Sequence, residues 1–450
     1  MLELVGIELK RRLRNPLTWF IIAVLCLMSL LNIIEMKNKR LDRHFIGHDI
    51  HSFGSKHLNN WAEIKFDDMK KELYPKQYYS TYLYTDLPKQ IVEANKENNI
   101  SEINRLFAFY NLVKAKRGYV TNDPIRSKVF EKKAIDIWRD VSGGIPYDDI
   151  NFYPIFSGIS NMEEYYFLWA KYYHQLYIKD LEPIYPDDAN NITYTYNYFY
   201  DILPFFIIII TILLTYNNIN KDKNIGSLKL LFTQSVHRRD YYIGKWIGGT
   251  IQLLIIFLLP PMITNIVLRL TNHFVPMNYP ILYLKDTMIS FNSIPNYSEV
   301  AKSQWGFIPT FGLNTTISKY APGHELVIDT VFPHRRMEFI SFYKYLFILL
   351  LLTILFIAFA VALVQLMSAI INKEIISFVA ASAVFILGTL VSSPFKYGEH
   401  LNLSPFTMEH ASRIVIGTYN VTALTSIIIL SLSTLLLLTI GVRYFNRKEI

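Results

Sequence analysis

One cysteine, Cys26, is all that 450 residues contain. No disulfide framework and no cysteine-based metal site can form within the chain, so any domain facing outward must be held by packing alone. Cys26 lies in an apolar run, with Leu25 where a small residue would precede a lipidated cysteine, and it reads as an inert buried thiol. Charge is scarce as well. Asp, Glu, Lys and Arg make up 18% of the residues against 51% hydrophobic ones, below the roughly 25% of a soluble domain. With a mean hydropathy of +0.21, the chain reads as membrane spans joined to water-facing parts.

Catalytic motifs are also missing. Gly244-Lys245 suggests a phosphate-binding loop, but Arg239 stands five residues before Gly244 where the loop needs glycine, and Trp246 replaces the required Ser or Thr. The chain therefore carries no visible ATP site. "HELVI" at His324 lacks the second histidine of a zinc protease, because Ile328 occupies its place. No nucleophile elbow or kinase motif set is present, and ionisable residues are nearly absent from the apolar runs, so an autonomous enzyme or a charge-relay antiporter has little to stand on.

Six segments approach the length of about 20 apolar residues needed to cross a bilayer: Leu17–Ile34, Tyr198–Tyr216, Trp246–Leu268, Tyr345–Met367, Ile375–Val391 and Val421–Val442. Positive charge sets their direction. Lys10, Arg11, Arg12 and Arg14 precede the first span, and Lys221, Lys223, Lys229, Arg238, Arg239 and Lys245 fill the gap between the second and third. Lys373 lies between the fourth and fifth, and Arg443, Arg447 and Lys448 follow the sixth. All four places fall on one side, expected to be cytoplasmic, with both termini there. The net charge of +8 thus belongs to a membrane surface and not to nucleic acid. The first run has no small-x-small cleavage site and reads as a retained anchor, not a signal peptide.

The fold class expected is therefore mainly α, a polytopic membrane protein with six transmembrane helices. Residues 1–34 form a lead-in and the first span, and 35–197 a large, mainly helical extracytoplasmic domain. Residues 198–268 carry the second and third spans around a cytoplasmic segment, 217–245. A second outer segment, 269–344, precedes the last three spans in 345–450, with a short outer loop at 392–420. Within the large domain Ile103, Leu106, Phe107, Tyr110 and Val113 recur at helical steps, with breaks at Gly118 and in "SGGIP". His44, His48, Asp49, His51 and His57 crowd one stretch, but Gly47 and Gly54 interrupt it, and a solvated polar segment is preferred to a zinc site. Tyr194, Tyr196, Tyr198 and Tyr200, at alternate positions just before a span, read as an outer aromatic belt.

The stretch "NNINKDKNIGSLKLLFTQSVHRRDYYIGKW" is too long for a simple loop. A helix from about Asn224 to Gln234 would present Leu228, Leu231 and Phe232 to an apolar groove, while Arg238 and Arg239 meet acidic side chains or lipid phosphates. The same pattern would suit a helix lying on the membrane surface.

Three stretches resemble the membrane subunit of type-2 ATP-binding-cassette exporters: "VGIELKRRLRNPLTWF" at the start, "IGSLKLLFTQSVHRRDYYIGK" in the middle, and "LNLSPFTM" with "RYFNRKEI" at the end. In the middle stretch Gly226, Ser227, Leu228, Leu231, Val236, Arg238, Gly244 and Lys245 fall in register. Asn224 stands where the family has an acid, and Ser235 where it has proline. The resemblance implies a permease that holds no cofactor and depends on a separate cytoplasmic ATPase, which binds the ATP. It also implies pairing with a second copy or a paralogue in the cell membrane, and coupling to the ATPase through Gly226, Ser227, Leu228, Leu231, Phe232, Val236, Arg238, Arg239, Gly244 and Lys245. The abundance of Lys, Asn, Ile and Tyr suggests an AT-rich bacterial genome, and so a bacterial plasma membrane. A path without fixed charge suits an amphipathic cargo such as a peptide, a lipid-like molecule or a drug. The alternative is an outer-domain sensor that transmits a signal mechanically without transport.

Overall fold

The computed structural model describes residues 2–41, 86–118, 124–147, 162–184, 188–226, 228, 232–233, 236–271, 273–284, 307–309, 315–317, 337–391, 403–415 and 421–447. Among these, six helices are long and apolar enough to cross a membrane, and each coincides with a span read from the sequence.

Helix α1 (Leu2–Leu13) is amphipathic, with Val5, Glu8 and Arg12 buried at steps of three and four. It ends where Asn15 and Pro16 start α2 (Pro16–Leu41), the first span. Asn15 accepts from the Leu17 N–H at 3.1 Å, and proline at the first helical position lacks the N–H that would have gone unpaired. The hydroxyl of Thr18 donates to the Arg12 carbonyl at 3.0 Å and the Trp19 indole to that of Leu13 at 2.7 Å. The indole thereby satisfies a carbonyl at the end of α1, the hydroxyl adds a second bond to one that already accepts from the Asn15 N–H at 3.1 Å, and the corner between α1 and the span is fixed.

Among the described residues four helices follow: α3 (Asp86–Lys96), α4 (Ile100–Gly118), α5 (Pro124–Val141) and α6 (Met162–Lys179). The residues that recur at helical steps do lie on one helix, α4, where Ile103, Leu106, Phe107 and Val113 are buried and Tyr110 is partly so. Phe107 stacks on Tyr173 of α6 at 5.0 Å, and Trp138 meets Phe109 edge-on at 5.0 Å. Gly143 and Gly144, at φ +62° and +91°, make the turn after α5.

The four tyrosines depart from expectation. They lie on helix α7 (Asn191–Asn197) and on a π-helical turn, Tyr198–Ile202, that leads into α8 (Leu203–Thr215). All four are buried. On a helix the pairs 194/198 and 196/200 are one turn apart, so Tyr196 stacks on Tyr200 at 5.5 Å and on Tyr345 at 5.9 Å. They are a packed core and not an interfacial belt.

The third span, α10, runs from Arg238 to Leu270, after a one-turn helix α9 (Asn220–Asn224). Pro260 and Pro261 lie inside α10, and Pro261 has no N–H to offer the carbonyl four residues back, that of Phe257. The Tyr198 hydroxyl donates to that carbonyl at 2.8 Å. In the 269–344 segment strand β1 (Pro280–Leu284) pairs antiparallel with β4 (Met337–Ser341), and β2 (Phe307–Pro309) with β3 (Thr315–Ile317). The pairing of β1 with β4 ties the exit of the third span to the entry of the fourth.

Helix α11 (Phe342–Ile370) is the central span, with two-thirds of its apolar window buried. It packs on the second, third and sixth spans and on α12 (Glu374–Val391), the fifth. Between the fifth and sixth spans a short helical turn, Pro405–Thr407, and α13 (Ala411–Val415) fold back onto the bundle. The Phe406 ring lies so close to Gly388 that a Cβ there would stand 2.4 Å from it, and it meets Phe359 and Phe385 edge-on. Helix α14 (Ala423–Arg447) is the sixth span. Less than a third of the first, fifth and sixth spans' apolar windows is buried, which leaves wide faces for lipid or another chain.

Candidate functional site

The segment 217–245 is fastened to the bundle at both ends. Where α1 crosses the start of α10, Gly244 faces Leu4 and Val5, and a Cβ on Gly248 would stand 2.9 Å from the Glu8 side chain. The small residues let α1 approach closely enough for its buried face to deliver Glu8 and Arg12 into the gap between the second and third spans.

Five charged side chains meet there. The Lys245 ammonium lies 2.5 Å from the Asp222 carboxylate and 3.2 Å from that of Glu8. Arg11 spans the same two acids, at 2.9 Å from each. Arg12 donates from Nε to Glu8 at 2.7 Å, from one Nη to Gln252 at 3.0 Å and from the other to Asn218 at 2.6 Å. Gln252 donates in turn to Thr18 at 2.8 Å, and the Tyr241 hydroxyl donates to Asp222 at 2.6 Å. Burial alone would push the Glu8 carboxyl up, but Lys245, Arg12 and Arg11 together hold it below the usual carboxylate value. Two acids and three cations leave one positive charge in excess. Such a network is weak evidence for stability, yet it fixes a register, because any slip strands a buried charge.

The fourth span joins the tie. Its Ser368 hydroxyl accepts from the backbone N–H groups of Ile219 and Asn220, at 3.2 and 3.4 Å, and Gln365 donates to the Tyr242 carbonyl at 2.8 Å. At the edge, Lys223 donates to Asn372 at 2.6 Å and Asn224 to Glu374 at 2.9 Å.

The residues expected to couple fall into three groups where the structure describes them: buried, partly packed and exposed. Lys245 is not presented outward; it is the buried centre of the ion network, and Gly244 seats α1. Leu228 is also turned inward, only 2% exposed, in a small core with Ile219, Tyr241, Tyr242, Ala369 and Phe445. Of the apolar residues that seemed free, Leu228 is therefore used by the chain itself. Phe232 and Val236 pack partly against the same core, and Arg238 lies over the Phe232 ring at 5.4 Å and donates to the Asn446 carbonyl at 3.3 Å. Gly226 and Arg239 remain exposed. Gly226, at φ +76°, makes the turn after α9, so Asn224 ends a helix instead of starting one. Ser227, Leu231 and Ser235 lie outside the described residues, as do His44, His48, Asp49, His51, His57 and His324.

Sequence reading missed Asp222 as the acid of the tie. It looked for an acid at position 224, and Asp222 stood in a basic run among surface-type residues. Its spacing from Lys245 carries no periodic signal. Gln252, a polar side chain inside the apolar run of the third span, was the available hint.

A second buried polar group sits in the turn before α13. Burial pushes the Glu409 carboxyl up to about 8 and the His410 imidazole down to about 3. Both are neutral near pH 7, so their 3.5 Å contact is not an ion pair. Arg413 lies over the Tyr200 ring at 4.7 Å, and Ser412 bonds the Tyr345 hydroxyl at 2.6 Å.

Six apolar helices among the described residues, with a lead-in helix ionically locked to the ends of two of them, define a multi-pass membrane protein built to hold one charged edge rigid. The chain belongs to the ABC-2 transporter family, whose model, described as ABC-2 family transporter protein, matches residues 2–450. Members of that family are permease subunits of ABC transporters, and the chain is a transport subunit of this class and not an autonomous enzyme. Comparison with curated proteins and with solved structures finds no match.

Proposed function

We propose that the chain is the membrane half of an ATP-driven exporter, with both termini and the 217–245 segment in the cytoplasm. A separate ATPase seats on that segment, and two permease chains, identical or paralogous, form the path. The observation that carries the reading is the tie itself. Asp222, Lys245, Glu8, Arg11 and Arg12 join the lead-in helix to the ends of the second and third spans through contacts of 2.5–3.2 Å. A push delivered at the exposed Gly226 turn or at Arg239 reaches both spans as one rigid displacement, because the network allows no slip. The sparse charge of the spans supports an amphipathic cargo, carried outward.

The test is isolation of the tagged full-length chain from its native membrane, followed by measurement of bound ATPase activity. An ATPase is expected to co-purify, and to be lost when residues 227–235 are replaced by Gly-Ser and weakened by Arg239→Glu. Undiminished ATPase binding by both variants would remove the coupling role.

A further inference from the structure

Beside the ion network lies a cavity of about 320 Å³, lined among others by Arg11, Arg12, Arg14, Lys221, Glu8 and Leu214. We propose that it binds the phosphate headgroup of an anionic phospholipid. The charge balance of its wall is four cations to one carboxylate. Arg11 and Arg12 are engaged within the network, but Arg12 uses three of the five N–H donors a guanidinium has and is held immobile by them. Arg14 and Lys221 are exposed, and among the described residues neither side chain has a hydrogen-bond or ion-pair partner. The site is therefore part fixed wall and part unpaired charge, which is the composition that recognises phosphate.

Size and surroundings favour a lipid over a free anion. The volume lies at the lower end of the roughly 300–1,000 Å³ of small-molecule sites, room enough for a headgroup with its glycerol. Leu214, near the end of the second span's apolar helix, forms part of the wall. The adjoining start of the first span exposes Leu17, Trp19 and Phe20, the apolar and aromatic surface that borders a bilayer interface. Acyl chains can thus stay in the membrane while the phosphate enters between the lead-in helix and the second span. A lipid held there would add its negative charge to a network that carries one positive charge in excess. The inference rests on the cytoplasmic placement proposed above only for which leaflet supplies the lipid; its test needs no ATPase, so either can fail alone.

The experiment uses the purified full-length chain in dodecyl maltoside. Its melting temperature is followed against phosphatidylglycerol, phosphatidylcholine of the same acyl chains, and inorganic phosphate. Phosphatidylglycerol should raise the melting temperature by several degrees and phosphatidylcholine should not. Arg14→Gln/Lys221→Gln, with an unchanged melting temperature before lipid is added, should need at least tenfold more phosphatidylglycerol for the same shift. If the double variant is unstable without lipid, Lys221→Gln alone carries the test, with about a threefold loss expected. An equal response of variant and wild type overturns the site, and an equal shift by inorganic phosphate at matched concentration overturns the lipid as its ligand.

Discussion

Lys245→Met removes the cation that both buried acids share and keeps most of the side chain's volume. Breaking a buried charge pair from one side costs about 3–5 kcal/mol. The low end is expected here, about 3 kcal/mol, because Asp222 keeps Arg11 at 2.9 Å and Tyr241 at 2.6 Å and Glu8 keeps both arginines. Asp222→Asn acts from the other side: it strands Lys245 with Glu8 alone, 3.2 Å away, and doubles the surplus positive charge of the site. If the two side chains act as a unit, the double variant loses less than the sum of the singles, by about 1–3 kcal/mol. The assay is reversible unfolding of the full chain in mixed dodecyl maltoside and dodecyl sulfate micelles, followed by tryptophan fluorescence. Additivity to within about 0.5 kcal/mol would refute the reasoning, because the 2.5 Å contact would then contribute nothing specific and the tie between the two spans would have to be carried elsewhere.

Gly248→Ala places a Cβ 2.9 Å from a Glu8 side chain that the network holds in place, and should cost about 1–3 kcal/mol as overpacking; protease cleavage within residues 1–15 should speed up in parallel. Tyr198→Phe leaves the Phe257 carbonyl unpaired in an apolar interior, a loss of about 1–3 kcal/mol. In a Pro261→Ala background, where the new N–H can take that carbonyl, the same change should be nearly neutral in the same unfolding assay. Between about pH 6.5 and 8 the folded chain keeps the Glu409 proton that the unfolded chain has released, so stability should fall as pH rises, by at most about 2 kcal/mol. His410, neutral when folded, adds a slope of the opposite sign near pH 6.5, where the unfolded imidazole is still losing its proton, and none by pH 8, so Glu409→Gln should abolish the fall and leave only that small rise. Glu8 has the opposite sign. Its carboxylate is stabilised by the cations around it, a contribution present above the usual glutamate value and lost as pH falls through its lower folded value, so Glu8→Gln should remove an acid-induced loosening of α1.

Sequence alone located the six helices, among the described residues, that are long and apolar enough to cross a membrane, because a bilayer asks only for length and apolarity, and both are properties of a contiguous stretch. The helical steps of Ile103, Leu106, Phe107 and Val113 were legible for the same reason: periodicity is local. Long-range partners were not. The Tyr194–Tyr200 series alternates like a strand or a belt until the π turn and the Tyr345 ring are known, and Leu228 looks free until the ends of the third, fourth and sixth spans close over it. Glu8 and Arg12 lie more than two hundred residues from Asp222 and Lys245 along the chain, and each by itself is an ordinary flanking charge of a membrane helix. Only the crossing of α1 over the start of the third span, permitted by Gly244 and Gly248, brings Glu8 to 3.2 Å from Lys245 and Arg11 to 2.9 Å from Asp222, out of water and in mutual need.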